Sequence, residues 1–360
     1  MQNQILTETK EQSHFNIREY EPEDMSSVLA LYQHGYSMPT RTGEESFWLW
    51  KHYNNPFGQS MMHVATNNTG QIIGLRTLMR WRFKAGSMIV KAVRGIDAVT
   101  HPDYRRYGVF SAMTRKAVEQ SKNSGVDLIF NTPNSQVLPG QLKLGWNYVS
   151  IVRPLVKVLN YPHFVAGIPG ILRNLKKNRS SRHISPEQIV RQRLPSVSEL
   201  LSLSGGVEQL LFSHGQTRGK YLSTDRSVDY LRWRYLECPI VKYVTLYQEK
   251  HRALSGCVIL RPATRFNLKE AVLVEMLFPK PDEDLVSPLL NEMERSISAD
   301  YITAYFPENS FEYHVLRKRG FHQVPRGGSN FTVNVLNSCI PCDPKILGNW
   351  NISLGDLEIF

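Results

Sequence analysis

Cysteine is scarce in this chain: Cys238, Cys257, Cys339 and Cys342 are the only four in 360 residues. They are too few and too scattered to staple a chain of this length, which excludes a disulfide framework. Cys339 and Cys342 make one C-x-x-C, but zinc needs a second pair at a workable distance and the other two cysteines stand alone, so no metal is expected. Nor is there a run of about 18 apolar residues that would span a bilayer, and the opening MQNQILTETKEQSHFNIREY has no apolar stretch of signal-peptide length. A cytoplasmic protein is the expectation. Acids are in the minority, 32 Asp and Glu against 43 Lys and Arg, giving a formal charge of +11 and a pI near 9.4. Such a field attracts phosphates, nucleic acid or an acidic membrane face.

What is present is an ordinary globular composition, 41% hydrophobic and 10% aromatic, long enough for two domains of about 150 residues. The chain also repeats. FWLWKHYNNP (residues 47–56) and YLRWRYLECP (residues 230–239) share an aromatic start, a tryptophan followed by a basic residue, and a proline six positions after that tryptophan. Four anchors recur in order. Trp50, Gly74, Pro102 and Gly145 are 24, 28 and 43 residues apart, and Trp233, Gly256, Pro279 and Gly320 are 23, 23 and 41 apart. An aromatic follows the last glycine each time, in LKLGW and RKRGF. Two copies of one fold are expected, over residues 1–150 and 226–360, with 151–225 as a basic linker or insertion between them.

In the first copy, PEDMSSVLALY reads as an amphipathic helix opened by proline and acids. MMHVAT, QIIGLRTLMRWRF and MIVKAVRGIDAVT are β-rich runs divided by turn sequences. Val109, Met113 and Ala117 fall on one face of a helix, GVDLIFNTP is a buried strand, and a weak helix with Pro139 and Gly140 follows. The order is helix, helix, three antiparallel strands, helix, strand, helix. That is a mixed α/β (α+β) fold, not a βαβαβ dinucleotide fold. The stretch from Ile151 starts as a broken apolar run and closes with Arg173, Lys176, Lys177, Arg179 and Arg182, so residues 155–183 could rest on an anionic membrane or serve as a solvated linker.

Between the third strand and the next helix lies THPDYRRYGVF. A helix N-terminus offers unpaired N–H groups and partial positive charge, glycine permits close approach, and arginine grips phosphate oxygens in pairs. In this arrangement the sequence resembles the GNAT acyltransferase superfamily, whose coenzyme A signature is R/Q-x-x-G-x-G/A after the fourth strand. Arg105, Gly108 and Phe110 occupy its three positions. The resemblance covers residues 90–150 well and both halves loosely. It implies two GNAT-like domains, each a largely antiparallel mixed sheet flanked by helices, with acetyl-CoA or another acyl-CoA as co-substrate. It also implies that Val99 and Thr100 meet the pantetheine arm, that Arg105, Arg106, Tyr107, Gly108, Val109 and Phe110 hold the pyrophosphate, and that Asn134 makes another contact.

Three departures stand out. Phe110 replaces a small residue, which would widen the cradle or shift the helix start. The family often has a tyrosine acid four residues before the final glycine, and Gln141 stands there, leaving Tyr148, water or positioning alone. The second half has PDED, Asp282 to Asp284 included, where phosphates would lie, so that half reads as degenerate.

The implied reaction is attack by an amine of a small molecule or amino sugar on the thioester, which requires removal of a proton. Asp97 is the carboxylate on the strand leading into the cradle and is the candidate base or substrate contact. Arg76, Arg80, Arg82 and Arg94 could meet an anionic substrate or belong to a charged outer sheet face. Trp48, Trp50 and Tyr53 could wall a sugar site or pack the core. Fem-type peptidyltransferases, which use aminoacyl-tRNA, also carry two GNAT-like copies, but they generally lack this cradle, so nucleic acid is not the expected partner. A non-catalytic binding protein is the other alternative.

Overall fold

A computed structural model describes residues 15–35, 44–174, 182–203, 205–250, 253–325 and 327–357. In chain order its first half gives β1 (Asn16–Glu19), α1 (Met25–Gly35), α2 (Glu45–His52), β2 (Met61–Thr66), β3 (Ile72–Ala85), β4 (Met88–Thr100), α3 (Val109–Asn123), β5 (Leu128–Asn131), α4 (Leu138–Lys143) and β6 (Asn147–Val152). This is the order expected from the sequence, with β1 added before it and β6 after it. The stretch 151–225 holds β7 (Leu155–Val158), α5 (Tyr161–Asn174), β8 (Arg182–His183), α6 (Val197–Leu201), α7 (Gly206–Gln216) and β9 (Leu222–Thr224). Then follow α8 (Val228–Leu231), β10 (Val244–Lys250), β11 (Ala253–Arg265), β12 (Leu268–Leu277), α9 (Glu283–Ser296), β13 (Tyr301–Ala304), α10 (Phe311–Lys318), β14 (His322–Gln323), β15 (Ser329–Val335), β16 (Trp350–Asn351) and α11 (Leu354–Leu357).

The strands form two mixed, mostly antiparallel sheets flanked by helices. The first runs β1-β2-β3-β4-β5-β15-β6, and the second runs β10-β11-β12-β13-β7-β14. Each has one parallel step in its middle, β4 with β5 and β12 with β13. Each also borrows the strand beyond that step. β15 slots between β5 and β6, antiparallel to both, while β7 slots between β13 and β14. The first sheet therefore takes β15 from the second half and the second sheet takes β7 from the stretch between the halves, so neither sheet is complete from one half of the chain alone.

The anchors of the repeat explain why the halves close together. Trp50 and Trp233 are buried, stack with ring centroids 5.0 Å apart, and each indole Nε1 donates to the other's main-chain oxygen, at 2.7 and 2.8 Å. These tryptophans, with Phe83, Phe130, Tyr230, Phe331 and Trp350, form a core shared by both sheets. Trp48, with Val28 and Leu75, fills a smaller core under α1 and α2. Both candidate sugar-site tryptophans are thus packing residues. Gly145 and Gly320 both have left-handed backbone, φ +94° and +82°, which turns the chain out of α4 and α10 so that Trp146 and Phe321 are buried.

Candidate functional site

At the end of β4 the chain makes a short turn, Pro102–Tyr104, and enters α3 through two left-handed residues, Arg106 (φ +71°) and Gly108 (φ +81°). A side chain at Gly108 would meet nothing within 4 Å, so the backbone angle, not crowding, calls for glycine, and the space beside it is open. Arg106 holds the same region without glycine's freedom, a strain of order 1 kcal/mol typical of binding turns. The N–H groups of Val109, Phe110 and Ser111 open α3 and have no acceptor within it. Its first turn carries no acid, and Arg105, Arg106 and Tyr107 are exposed beside it. Gly74 of β3 lets the helix sit close, since a Cβ there would lie 2.9 Å from both Val109 and Met113.

In the second sheet the matching helix start, that of α9, is already satisfied by its own acids. Asp282 caps it, accepting from the Asp284 N–H at 3.0 Å and pairing with Lys280 at 2.8 Å, and Glu283 and Asp284 occupy the first turn. One helix start is open and free of acids; its counterpart is occupied by acidic side chains.

The cradle opens onto a wedge. β4 and β5 are paired from Ala92–Arg94 to Leu128–Phe130; β4 then continues to Thr100 beyond that register. Ile96 and Ala98 are half-exposed along the gap, while the Asp97 side chain, only 8% exposed, is turned inward. At its floor, a Cβ on Gly95 would lie 2.7 Å from Arg76 Nη2 and 3.2 Å from Asn131 Nδ2. Arg76 is buried and its guanidinium lies 5.6 Å from the Phe110 ring, so Phe110 is turned to β3 and the half-buried ring forms part of the cationic wall.

Asp97 sits in a β-bulge. Arg76 faces Ala98 and Thr77 faces Ile96, leaving Asp97 as the extra residue, with φ +40°. β12 bulges at the same step, leaving out Val274 between Leu273 and Glu275, but its φ is not left-handed. The first bulge is therefore distinguished by its carboxylate and what grips it. Tyr32 Oη donates to Asp97 Oδ1 at 2.6 Å, and Lys51 Nζ and His52 Nε2 approach Oδ2 at 2.7 and 3.1 Å. His52 Nδ1 shares a hydrogen bond with Ser60 Oγ at 2.9 Å. α2 supplies both basic groups from adjacent positions, with Lys51 also 4.5 Å from the Phe47 ring. Burial tends to raise the Asp97 pKa, but the charge of Lys51 and the contacts with His52 outweigh it and hold the carboxyl well below its usual range. Burial lowers the His52 pKa against the pull of Asp97, so the imidazole is neutral near pH 7. The ion pair proper is Lys51–Asp97.

Val99, Thr100 and Arg105 to Phe110 are thus gathered along one edge of the wedge. Asn134 lies just past β5 on the other edge, where its Oδ1 accepts from the N–H groups of Gln136 and Val137 at 3.0 and 2.9 Å. Tyr148 is on β6, exposed and paired with Thr332; three strand spacings separate β6 from β4, roughly 14 Å. Gln141 is fully buried and accepts from Thr332 Oγ1 at 3.2 Å, tying α4 to the borrowed strand.

Two arginines read as surface charges are interior. Arg94 is buried on β4 and donates to the main-chain oxygens of Asp356, at 2.6 Å, and Leu357, so it anchors α11. Arg76 forms the wedge floor. Arg82 pairs with Asp225 at 2.6 Å. Lys51, His52 and Tyr32 were not singled out in the sequence, and only the spacing of α2 beneath the bulged strand brings them together. Among the described residues no cluster of His, Cys, Asp or Glu is arranged for a metal ion, and no helix is long and apolar enough to cross a membrane.

The chain has counterparts among known proteins. Residues 16–149 match the family model of the acetyltransferase (GNAT) domain. A probable N-acyltransferase of otherwise unknown function from Enterococcus faecalis V583 superimposes with a TM-score of 0.62 at 11% identity, over 90% of this chain and 73% of that one. A GCN5-related N-acetyltransferase from Anabaena variabilis gives 0.61 at 11% identity, over 90% and 74%, and one from Kribbella flavida gives 0.56 at 12%, over 90% and 72%. No curated protein sequence matches the chain. At such identities the structural likenesses speak for the fold, while the domain match falls on the residues that build the cradle, wedge and bulge; residues 16–149 carry a GNAT acetyltransferase domain.

Proposed function

We propose that this protein transfers an acyl group from an acyl coenzyme A, acetyl coenzyme A in the simplest case, to an amine. The observation that carries the reading is the contrast between the two helix starts: an open, acid-free one flanked by Arg105 and Arg106 at the mouth of a wedge, and one filled by Asp282 and its neighbours. The main chain from Arg106 to Phe110 would hold the pyrophosphate, the arginines its charge, and the β4 edge at Val99 and Thr100, with Asn134 opposite, the pantetheine arm. Bound there, the cofactor supplies an activated thioester. The solved neighbours are named as N-acyl- or N-acetyltransferases, which supports nitrogen as the acceptor atom; the acceptor we propose is a small-molecule amine or amino sugar. An amine must shed its proton to attack. Asp97, ionised across the working pH range and gripped by Lys51, keeps the bulge in place and gives the incoming amine a negative centre; Tyr148 lies too far along the sheet to serve as its acid.

Coenzyme A at about 100 times its dissociation constant should stabilise the fold by roughly 2.7 kcal/mol. Reversing both exposed arginines, Arg105→Glu with Arg106→Glu, should abolish that shift and leave the unliganded melting curve near wild type, because neither side chain is buried. Acyl-CoA turnover against a panel of amines, followed by free thiol release, tests the chemistry. An undiminished shift in the double variant, or no thiol release with any amine, overturns the assignment.

A further inference from the structure

Arg94 stands on β4 next to Gly95 at the wedge floor, and its buried guanidinium joins three parts of the molecule. Nη2 donates at 3.1 Å to the hydroxyl of Thr132, just past the end of β5, and the two Nη groups donate to the main-chain oxygens of Asp356 and Leu357 that close α11. Arg94 faces Phe130 in the ladder, so its bond to Thr132 reaches two residues past the last β4–β5 pair. The Phe130 ring, 5.7 Å from the guanidinium, limits its swing. The second sheet in turn fixes α11. Arg226 and the Ser353 N–H each donate to the Asp356 carboxylate at 2.8 Å, and Arg234 Nε donates to the Gly355 oxygen at 3.1 Å. A Cβ on Gly355 would collide with Tyr235 Oη and would lie 2.8 Å from Glu275 Oε1 and 3.0 Å from the Val274 oxygen. Val274 and Glu275 follow directly on the β12 residues that pair with β13, so α11 is pressed against the second sheet at the place that corresponds to the wedge of the first.

We infer that Arg94 is a positioning residue for acyl transfer: it sets the separation of β4 and β5 at the mouth of the wedge, and the second half of the chain holds it there through α11. The inference rests on the acyl coenzyme A reading above. A pantetheine arm lying along Val99 and Thr100 needs β4 and the exit of β5 at a fixed spacing, and a displacement of about 1 Å can cost on the order of a hundredfold in rate. All three oxygens that Arg94 holds are neutral, and they belong to segments far apart in sequence. The planar guanidinium fork therefore acts as a brace between those segments. The half whose helix start is filled by acids then has a part in the chemistry of the other.

Thr132→Val removes the bond across the wedge while keeping the size of the side chain. Titration calorimetry of the full chain with two probes tests the brace: coenzyme A enters cradle and wedge, whereas ADP carries the diphosphate but no pantetheine arm. The variant should bind ADP like wild type and coenzyme A about tenfold more weakly, the effect of one lost hydrogen bond to a charged group. Arg94→Lys keeps the charge but not the fork, and should lower kcat/KM for thiol release from acetyl coenzyme A by on the order of a hundredfold. Gly355→Ala acts from the second sheet and should give the same signature, ADP binding kept and coenzyme A binding weakened. Wild-type coenzyme A affinity in Thr132→Val, or wild-type turnover in Arg94→Lys, would overturn the inference. So would a parallel loss of both probes, which would make Arg94 a residue of the fold alone. A wild-type protein that binds neither probe would instead overturn the acyl coenzyme A reading, and the inference with it.

Discussion

Replacing Trp50 by alanine should destabilise the whole chain by about 3–5 kcal/mol, the range for deleting a buried aromatic side chain, and should do so in a single cooperative transition. Three losses coincide there: the large apolar volume, the stacking with Trp233, worth about 0.5–1.5 kcal/mol beyond area, and one arm of the reciprocal hydrogen bonds. Because β15 completes the first sheet and β7 the second, loosening this contact cannot release one half alone. Trp50→Phe separates the contributions, since it keeps a ring but leaves the Trp233 carbonyl without its indole donor, at a cost of about 1–3 kcal/mol. Denaturant unfolding followed by fluorescence and by far-ultraviolet dichroism checks both. Two separated transitions, or a change under 1 kcal/mol for the alanine variant, would mean that the borrowed strands do not couple the halves.

That coupling was half visible in the sequence. The tryptophan anchors, with a basic neighbour and a proline at fixed spacing, announced the repeat, but nothing local in them says that Trp50 and Trp233 touch. The strand SNFTVNV carries a usable alternation, with Phe331 and Val333 on the core face. Its partner is set by which sheet has a gap beside its parallel step, and that is a property of the assembled fold. The cradle was the most legible part because its chemistry is contiguous: strand end, two arginines, glycine, helix. Arg76 and Arg94 misled because β3 and the middle of β4 are covered on both faces, so alternation that reads as inside and outside is inside twice. The Asp97 bulge is a single extra residue and leaves no periodic trace. Lys51 and His52 lie on a helix separated from it by two strands of sequence, so their meeting could not be read at all.

The cluster around that bulge should respond strongly to mutation. Lys51→Met leaves the Asp97 carboxylate buried without its cation, a situation that costs about 3–5 kcal/mol, and Asp97→Asn strands the ammonium in the same way. The double variant, Lys51→Met with Asp97→Asn, should recover much of that loss, with a coupling energy of up to about 3 kcal/mol for groups in direct contact. The pH dependence follows from the depressed carboxyl. Its folded pKa lies below the unfolded value of about 3.9, so the stability it contributes is present above that value and is lost as pH falls below it. Asp97→Asn should remove that part of the acid sensitivity. Activity then separates holding from proton transfer. A carboxylate kept so acidic is a weak base, so if Asp97 holds the left-handed bulge in place, thiol release by Asp97→Asn should fall by on the order of a hundredfold with its pH profile retained. Loss of the alkaline or acidic limb of the profile in the variant would make Asp97 the proton acceptor itself, and wild-type turnover would show that neither the bulge nor its carboxylate takes part in the reaction.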